Sequence, residues 1–265
     1  MRVNAPSDDN NFFRKIKISL LLIVSLGVCI LPSQALSDSL HLAVASNFIS
    51  PIKKLAQDFE QETGHSITLS FGSSGKLFAQ IQNHAPYDIF LSADESKPQA
   101  LITKQLAVAD SLTIYAKGQL VLWSQAPIPT NDLKETLLNA SRIAMANPRL
   151  APYGKAAEES LRNLRLWDNI QNKLVLGENI GQTYQFTYSK NADIGFVALS
   201  QVLSGDNKEY VLELPKSLYK DINQAAVILS RTQKPVLAAS FMAFLMRADN
   251  QAKIVESGYA NRATD

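Results

Sequence analysis

The sequence carries little charge of either sign and almost no cysteine. Of its 265 residues, 19% are charged and 46% are hydrophobic, which is typical of a globular protein rather than a disordered one. Lysine and arginine number 26 against 24 aspartates and glutamates, and this excess lies within the first 35 residues. The remaining chain is neutral overall, which argues against a basic surface for nucleic acid or an anionic membrane.

The sequence also lacks the patterns that mark catalytic and metal sites. Its three histidines are widely spaced, and none lies at a metal-ligand interval from a cysteine or carboxylate. It has no GxSxG motif, no P-loop and no glycine-rich dinucleotide motif placed at a strand-to-helix turn. We therefore expect no catalytic residues, no cofactor and no directly coordinated metal ion. An enzyme or a sensor domain on the same scaffold is the alternative from another class.

The first 35 residues have the pattern of a secretory signal peptide. A basic patch at 14–17 precedes an apolar run at 18–31, and Ala35 follows in a stretch that suits cleavage. The apolar run is short for a membrane-spanning helix, so we predict cleavage after Ala35. The single cysteine, Cys29, then leaves with the signal peptide, and the mature chain has no disulfide. An uncleaved membrane anchor and lipidation of Cys29 are the alternatives.

The rest of the chain alternates predicted strands and helices. Apolar residues alternate over 39–44, and Ile52, Leu55 and Phe59 then repeat at helical spacing until Gly64. Similar units follow at 67–81, 142–164 and 174–198. This alternation predicts an α/β architecture with mostly parallel sheets. Composition shows no boundary between domains, so a single α/β domain remains an alternative on length alone.

Four predicted strand-to-helix junctions are rich in small or neutral polar residues: 45–48, 72–75, 151–154 and 178–181. Ligands of α/β proteins bind at such junctions, where backbone N–H groups and the positive end of the helix dipole attract anions. A serine hydroxyl can add a donor, although a serine before a helix is more often only a cap. The prediction of an anion site therefore depends on the four junctions together.

Six segments, in the same order along the chain, resemble the molybdate-binding periplasmic proteins of ABC transporters, within the type II periplasmic binding protein superfamily. They are LHLAVASNF at 40–48, ITLSFGSSGKLFAQI at 67–81, PYDIFLSAD at 86–94, IAMANPRLAPYGKAA at 143–157, LGENIGQTYQF at 176–186 and DIGFVALSQV at 193–202. The resemblance implies a two-lobed fold with two hinge crossovers and an inter-lobe cleft. It implies a first lobe of residues 36–121 and 223–265, a second lobe of residues 122–222, and a signal peptide of residues 1–35.

The resemblance also implies a ligand site made of hydroxyls and backbone amides between the lobes. Carried over by position, the ligand residues are Ser46, Asn47, Ser74, Tyr153 and Ile180, the last through its backbone, with Ser73 and Asn179 as secondary candidates. Some members of the family have alanine at the position of Tyr153 and a ligand tyrosine in the strand that here ends at Ala198. We therefore expect Tyr153 to supply the tyrosine hydroxyl in this chain.

The chemistry of the junctions narrows the choice among candidate anions. Molybdate, tungstate and sulfate are fully deprotonated at neutral pH and only accept hydrogen bonds, whereas phosphate keeps a proton and requires an acceptor. Three of the four junctions contain no carboxylate, and Glu178 precedes the expected helix start in the fourth. This favours the fully deprotonated ions, and only the resemblance selects molybdate over sulfate or thiosulfate. The resemblance implies a periplasmic monomer that delivers molybdate, with tungstate as a second ligand, to a membrane permease and its ATPase.

We predict that the exported protein begins at Leu36, because Ala35 precedes the predicted cut. Intact-mass spectrometry of the protein from the exported fraction checks this start. A mass that still includes residues 1–35 would support the membrane anchor, and a lipid-modified fragment that begins at Cys29 would support lipidation.

Overall fold

The computed structural model of the protein describes residues 1–2 and 38–261, so the predicted cleavage site at Ala35 and Cys29 lie outside the described residues. Contacts divide the chain into a unit of residues 1–37 and a compact unit of residues 38–265, and the described strands and helices belong to the second unit. In the part of the chain that is described, no helix is long and apolar enough to cross a membrane.

Strands and helices alternate along most of residues 38–261, as the sequence pattern predicts. The elements are β1 (Ser39–Ala45), α1 (Ile49–Thr63), β2 (Ser66–Gly72), α2 (Ser74–Gln82), β3 (Ile89–Leu91), α3 (Ser96–Thr103), β4 (Thr113–Gly118), β5 (Leu120–Trp123), α4 (Leu133–Asn139), β6 (Ile143–Ala146), α5 (Pro152–Asn163), α6 (Trp167–Ile170), β7 (Leu174–Gly177), α7 (Ile180–Tyr188), β8 (Ile194–Ala198), α8 (Leu199–Ser204), β9 (Val211–Glu213), β10 (Ile222–Ile228), α9 (Pro235–Leu245) and α10 (Ala248–Glu256).

The strands form two five-stranded sheets with the same arrangement. The first has the order β2-β1-β3-β10-β4, and the second has the order β7-β6-β8-β5-β9. In the first sheet β1 pairs in parallel with β2 and β3, whereas β10 runs antiparallel to β3 and β4. The second sheet repeats this pattern. The α/β prediction is confirmed, and each sheet is mixed, because four strands run in one direction and a single strand, β10 or β5, runs against them.

The antiparallel strands arise where the chain crosses between the sheets. Only Gln119 separates β4 in the first sheet from β5 in the second, with no helix between them to restore a parallel direction. The chain returns over residues 214–221 and enters the first sheet again as β10. We call the half around the first sheet the first lobe and the half around the second sheet the second lobe. The predicted lobe limits at 121/122 and 222/223 stay predictions.

Helix α1 shows how the sequence periodicity becomes packing. Ile52, Leu55 and Phe59 lie on its buried face. The Phe59 ring packs edge-on against the Phe241 ring of α9, and the two ring centroids are 5.2 Å apart. Burial of each such side chain stabilises the fold by about 1.5–3 kcal/mol. Gly64 ends the helix as predicted, with a φ of 73° that few other residues adopt, and its N–H donates to the Glu60 carbonyl.

The central strands of the second lobe are apolar along their whole length. Every residue of β6 and of β8 is buried, as expected of strands covered on both faces by helices or loops. A strand of this kind offers polar groups to a ligand only at its ends. The carboxyl ends of β6 and β7 are followed by two of the four predicted junctions, 151–154 and 178–181, and this edge of the sheet positions the site.

Candidate functional site

The structure brings the four predicted junctions together where the parallel strands of both lobes end. Ala45 and Ala93 of the first lobe share one buried apolar cluster with Ala151, Tyr153 and Ile180 of the second. All five predicted ligand residues are at most 5% exposed: Ser46, Asn47, Ser74, Tyr153 and Ile180. The backbone N–H groups of Ser74, Tyr153 and Ile180 stand in first helical turns, where a helix offers no internal acceptor.

The two serines of the second junction have different roles. The Ser73 hydroxyl accepts a hydrogen bond from the Lys76 N–H at 3.3 Å and caps helix α2, which is the ordinary structural role of a serine at this position. The Ser74 hydroxyl is buried and accepts from the Ala93 N–H at 2.9 Å. Because its oxygen is the acceptor there, the Ser74 hydroxyl hydrogen is left for another acceptor.

The first and fourth junctions touch each other across the lobes. The Ser46 hydroxyl donates to the Asn179 side-chain oxygen at 3.1 Å and accepts from the Gly181 N–H at 3.3 Å. Asn179 is itself the N-cap of α7, because its side-chain oxygen accepts from the Gln182 N–H at 3.0 Å. The structure therefore places Ser46 against the start of α7, beside Ile180, and assigns Asn179 a capping role.

Tyr153 lies in the first turn of α5, after Pro152 at the helix start. Its hydroxyl accepts a hydrogen bond from the Gln224 side-chain nitrogen at 3.1 Å. Burial raises the pKa of the Tyr153 phenol well above its usual value of 10, and nearby Tyr259 adds to the shift. The group therefore keeps its hydrogen at neutral pH, and that hydrogen is directed elsewhere than to Gln224.

Asn47 differs from the other predicted ligand residues. Its side-chain nitrogen donates to the Gln224 side-chain oxygen at 2.8 Å and to the Tyr259 hydroxyl at 3.0 Å, so both of its hydrogens are used within the protein. The Asn47 side-chain oxygen is buried without a hydrogen-bond partner among the described residues. The group that Asn47 can still offer to an anion is its backbone N–H, at the start of the short helical turn Ser46–Phe48.

Two lysines near the junctions are paired with carboxylates. Lys76 of α2 forms an ion pair of 2.7 Å with Glu178, which precedes α7 in the second lobe. Lys97 pairs with Asp94 after β3. A cavity of about 280 Å³ lies between the lobes beside the third junction, and its lining includes Lys97, Lys155 and Lys220 together with Glu159 and Asp221. No group of three or more metal-binding side chains occurs within the residues that the structure describes.

Three residues of the site's surroundings were missed by the sequence reasoning: Tyr115, Gln224 and Tyr259. Gln224 is the centre of their network, because its side-chain oxygen also accepts from the Tyr115 hydroxyl at 3.0 Å. The one local signal is a glutamine inside the apolar strand β10, where it is fully buried. A buried amide of this kind needs partners, so it predicts a polar network but not its members.

Two α/β lobes with hydrogen-bond donors gathered between them define a solute-binding protein. Residues 40–260 match the family model of bacterial extracellular solute-binding proteins, and the chain belongs to this family. It is 40% identical to the molybdate-binding protein ModA of Azotobacter vinelandii, over 90% of this chain and 96% of that protein. It is 38% identical to ModA of Rhodobacter capsulatus, over 82% of this chain and 86% of that protein.

Solved structures agree with the two-lobed fold. The periplasmic molybdate-binding protein of Azotobacter vinelandii superposes with a TM-score of 0.80 at 37% identity, over 84% of this chain and 99% of that chain. This likeness confirms the predicted fold class. The sulfate-binding protein SubI from Mycobacterium tuberculosis superposes with a TM-score of 0.72 at 12% identity, which shows a common fold and nothing about the ligand.

The raised pKa of Tyr153 gives a prediction in alkaline solution. A folded pKa above the unfolded value means that the neutral phenol is favoured by folding, and this contribution to stability is lost as the pH rises above about 10. We expect wild type and Tyr153→Phe to develop the same tyrosinate absorbance until the alkaline unfolding transition. Loss of one tyrosine's absorbance from the Tyr153→Phe curve below that transition would contradict the buried, protonated phenol.

Proposed function

We propose that the protein captures molybdate, with tungstate as a second ligand, in the periplasm and delivers it to the permease and ATPase of an ABC transporter. The observation that carries the proposal is the hydrogen bonding of two buried hydroxyls. Ser74 and Tyr153 each accept a hydrogen bond from the protein, so each has its hydrogen available to an anion. The names of the Azotobacter and Rhodobacter relatives support molybdate as that anion.

Uncharged donors are sufficient to hold a dianion in this cleft. The first turns of α2, α5 and α7 add backbone N–H groups and the positive ends of three helix dipoles. Inside a dry cleft such dipoles act at a lower effective dielectric constant than in water. Lys76 and Lys97 are engaged with carboxylates, so we assign neither to the ligand. The proposed ligand residues are Ser46, Ser74, Tyr153 and the backbone of Asn47 and Ile180, and the Ser46 hydroxyl turns its hydrogen from Asn179 to the ion when the ion binds.

The same donor set favours an ion without a proton. The hydroxyls of Ser74 and Tyr153 act as donors, and two carboxylates beside the junctions, Asp94 and Glu178, are paired with lysines. Phosphate would leave its proton without an acceptor, and an unmade buried hydrogen bond costs about 1–3 kcal/mol. Sulfate and thiosulfate satisfy the donors equally, and the molybdate names of the relatives favour the larger ion. A binding role is favoured over catalysis, because the described residues of the site include no nucleophile paired with a base.

Ligand capture requires that binding favour the closed arrangement of the lobes. The two lobes already contact each other across the cleft, for example through a hydrogen bond from the Gly75 N–H to the Leu150 carbonyl at 2.9 Å. The side chains of Lys76 and Glu178 are each about half exposed, so their ion pair contributes at most about 1 kcal/mol to the free energy of closure. We propose that the oxyanion supplies the larger part of this free energy, because Ser46 and Ser74 contact it from one lobe and Tyr153 and Ile180 contact it from the other.

A thermal-shift panel of molybdate, tungstate, sulfate and phosphate tests the proposal. A ligand at about 1,000 times its Kd adds about 4 kcal/mol to the free energy of unfolding, so molybdate and tungstate should raise Tm strongly and phosphate should not. Ser74→Ala removes a hydrogen bond to a charged ligand, which is worth about 1.5–3 kcal/mol, and should lose most of the molybdate shift.

The matched control is Ser141→Ala, since Ser141 is exposed at the opposite end of β6, and it should keep the full shift. Absence of molybdate and tungstate binding at micromolar concentrations in calorimetry would rule out the proposed function. A full molybdate shift in Ser74→Ala would show that the site is assigned to the wrong residues, and a larger shift with sulfate would select the alternative ligand.

A further inference from the structure

Gln224 occupies the crossing between the lobes. It lies in β10, the strand that returns the chain to the first sheet, and its side chain is fully buried. The pairing of β10 with β4 shifts register between Gln224 and Ala225. Such irregularities bend a strand and re-aim a side chain, and they are frequent next to functional sites. Gln224 is thereby placed among residues from both lobes, with Asn47 on one side and Tyr153 on the other.

The direction of the hydrogen bonds around Gln224 follows from Tyr259. The Tyr259 hydroxyl donates its hydrogen to the Asn47 carbonyl at 2.9 Å, so its oxygen accepts from the Asn47 side-chain nitrogen. That nitrogen also donates to the Gln224 side-chain oxygen, as the Tyr115 hydroxyl does. Gln224 therefore presents its nitrogen, which can only donate, to the Tyr153 hydroxyl.

We infer that Gln224 is a positioning residue that keeps the hydroxyl hydrogen of Tyr153 pointed at the bound oxyanion. The inference rests on the proposed function, in which Tyr153 donates to the ligand. If the amide presented its oxygen instead, the Tyr153 hydrogen would be drawn to Gln224, and a lone pair would face the anion. Gln224 thus acts on affinity through Tyr153 without touching the ligand.

The bond between Gln224 and Tyr153 passes directly over the first crossing of the chain. A Cβ added at Gly118, the last residue of β4, would overlap the Tyr153 hydroxyl and would lie 2.8 Å from the Gln224 nitrogen. Tyr153 belongs to the second lobe and Gln224 to a strand of the first sheet. The orientation of the Tyr153 hydroxyl is therefore tied to the arrangement of the two lobes.

A double-mutant cycle on the mature protein, measured by calorimetry with molybdate, tests the inference. Gln224→Met keeps the volume and removes both the donor and the acceptor. Because an ordered neutral hydrogen bond is lost, we expect molybdate to bind about 3- to 10-fold more weakly. In the Tyr153→Phe background the same substitution should change affinity by less than about twofold, since no hydroxyl remains to be oriented.

Gln224→Glu is the second variant, because its oxygens still accept from Asn47 and Tyr115 if the methionine variant does not fold. Its neutral carboxyl can donate to Tyr153 as the amide does, whereas its carboxylate can only accept. We expect molybdate affinity of Gln224→Glu to fall, relative to wild type, as the pH rises from about 6 to 9. This fall should be smaller in the Tyr153→Phe background, where only charge repulsion remains.

Three results would overturn the inference. Equal losses from Gln224→Met in both backgrounds, or an equal pH-dependent fall of Gln224→Glu in both, would show that Gln224 acts through the fold alone, and the proposed function would stand. Wild-type affinity in Tyr153→Phe would remove Tyr153 from the ligand site and the inference with it. Absence of molybdate binding by the wild-type protein would overturn the proposed function itself.

Discussion

A fully deprotonated oxyanion can only accept hydrogen bonds, so every protein group that holds it must have a hydrogen that the protein does not use. The Ser74 and Tyr153 hydroxyls meet this requirement, because each has its oxygen engaged by an internal donor, the Ala93 N–H and the Gln224 amide. A hydroxyl can either donate or accept a hydrogen bond. Because the protein occupies the oxygens of these two hydroxyls, their hydrogens are left for the ligand. The Asn47 side chain does not meet this requirement, because its hydrogens are donated to Gln224 and Tyr259, and the Ser46 hydroxyl meets it only when its hydrogen turns from Asn179 to the ion.

The fold supplies such groups by placing helix starts from two lobes face to face. Strands that are buried on both faces can offer polar groups to a ligand only at their ends. The carboxyl ends of the parallel strands in both sheets point into the cleft between the lobes. Each crossing of the chain adds antiparallel strands at the hinge, and one of them, β10, carries Gln224. The ligand site and the hinge therefore share residues, so closure and donor orientation depend on one another.

The sequence predicted what depends on local patterns. Helical spacing and Gly64 predicted α1, and small polar residues after apolar strands predicted the four junctions. The mixed character of the sheets was not predicted, since strand direction at a crossing depends on long-range pairing. The hydrogen-bond network around Gln224 was also missed, because Asn47, Tyr153 and Tyr259 are distant in sequence. Each of them also has an ordinary alternative role as a cap or a core residue. Gln224 within an apolar strand was the only local sign of it.

The most direct test of capture by uncharged donors is a crystal structure of the tungstate complex, with tungsten located by its anomalous scattering. We expect one strong peak between Ser74, Tyr153 and the start of α7, with no lysine nitrogen within hydrogen-bond distance of the ion. A principal peak coordinated by Lys97, Lys155 or Lys220 in the neighbouring cavity would contradict capture by uncharged donors, because the anion would then be held by opposite charge.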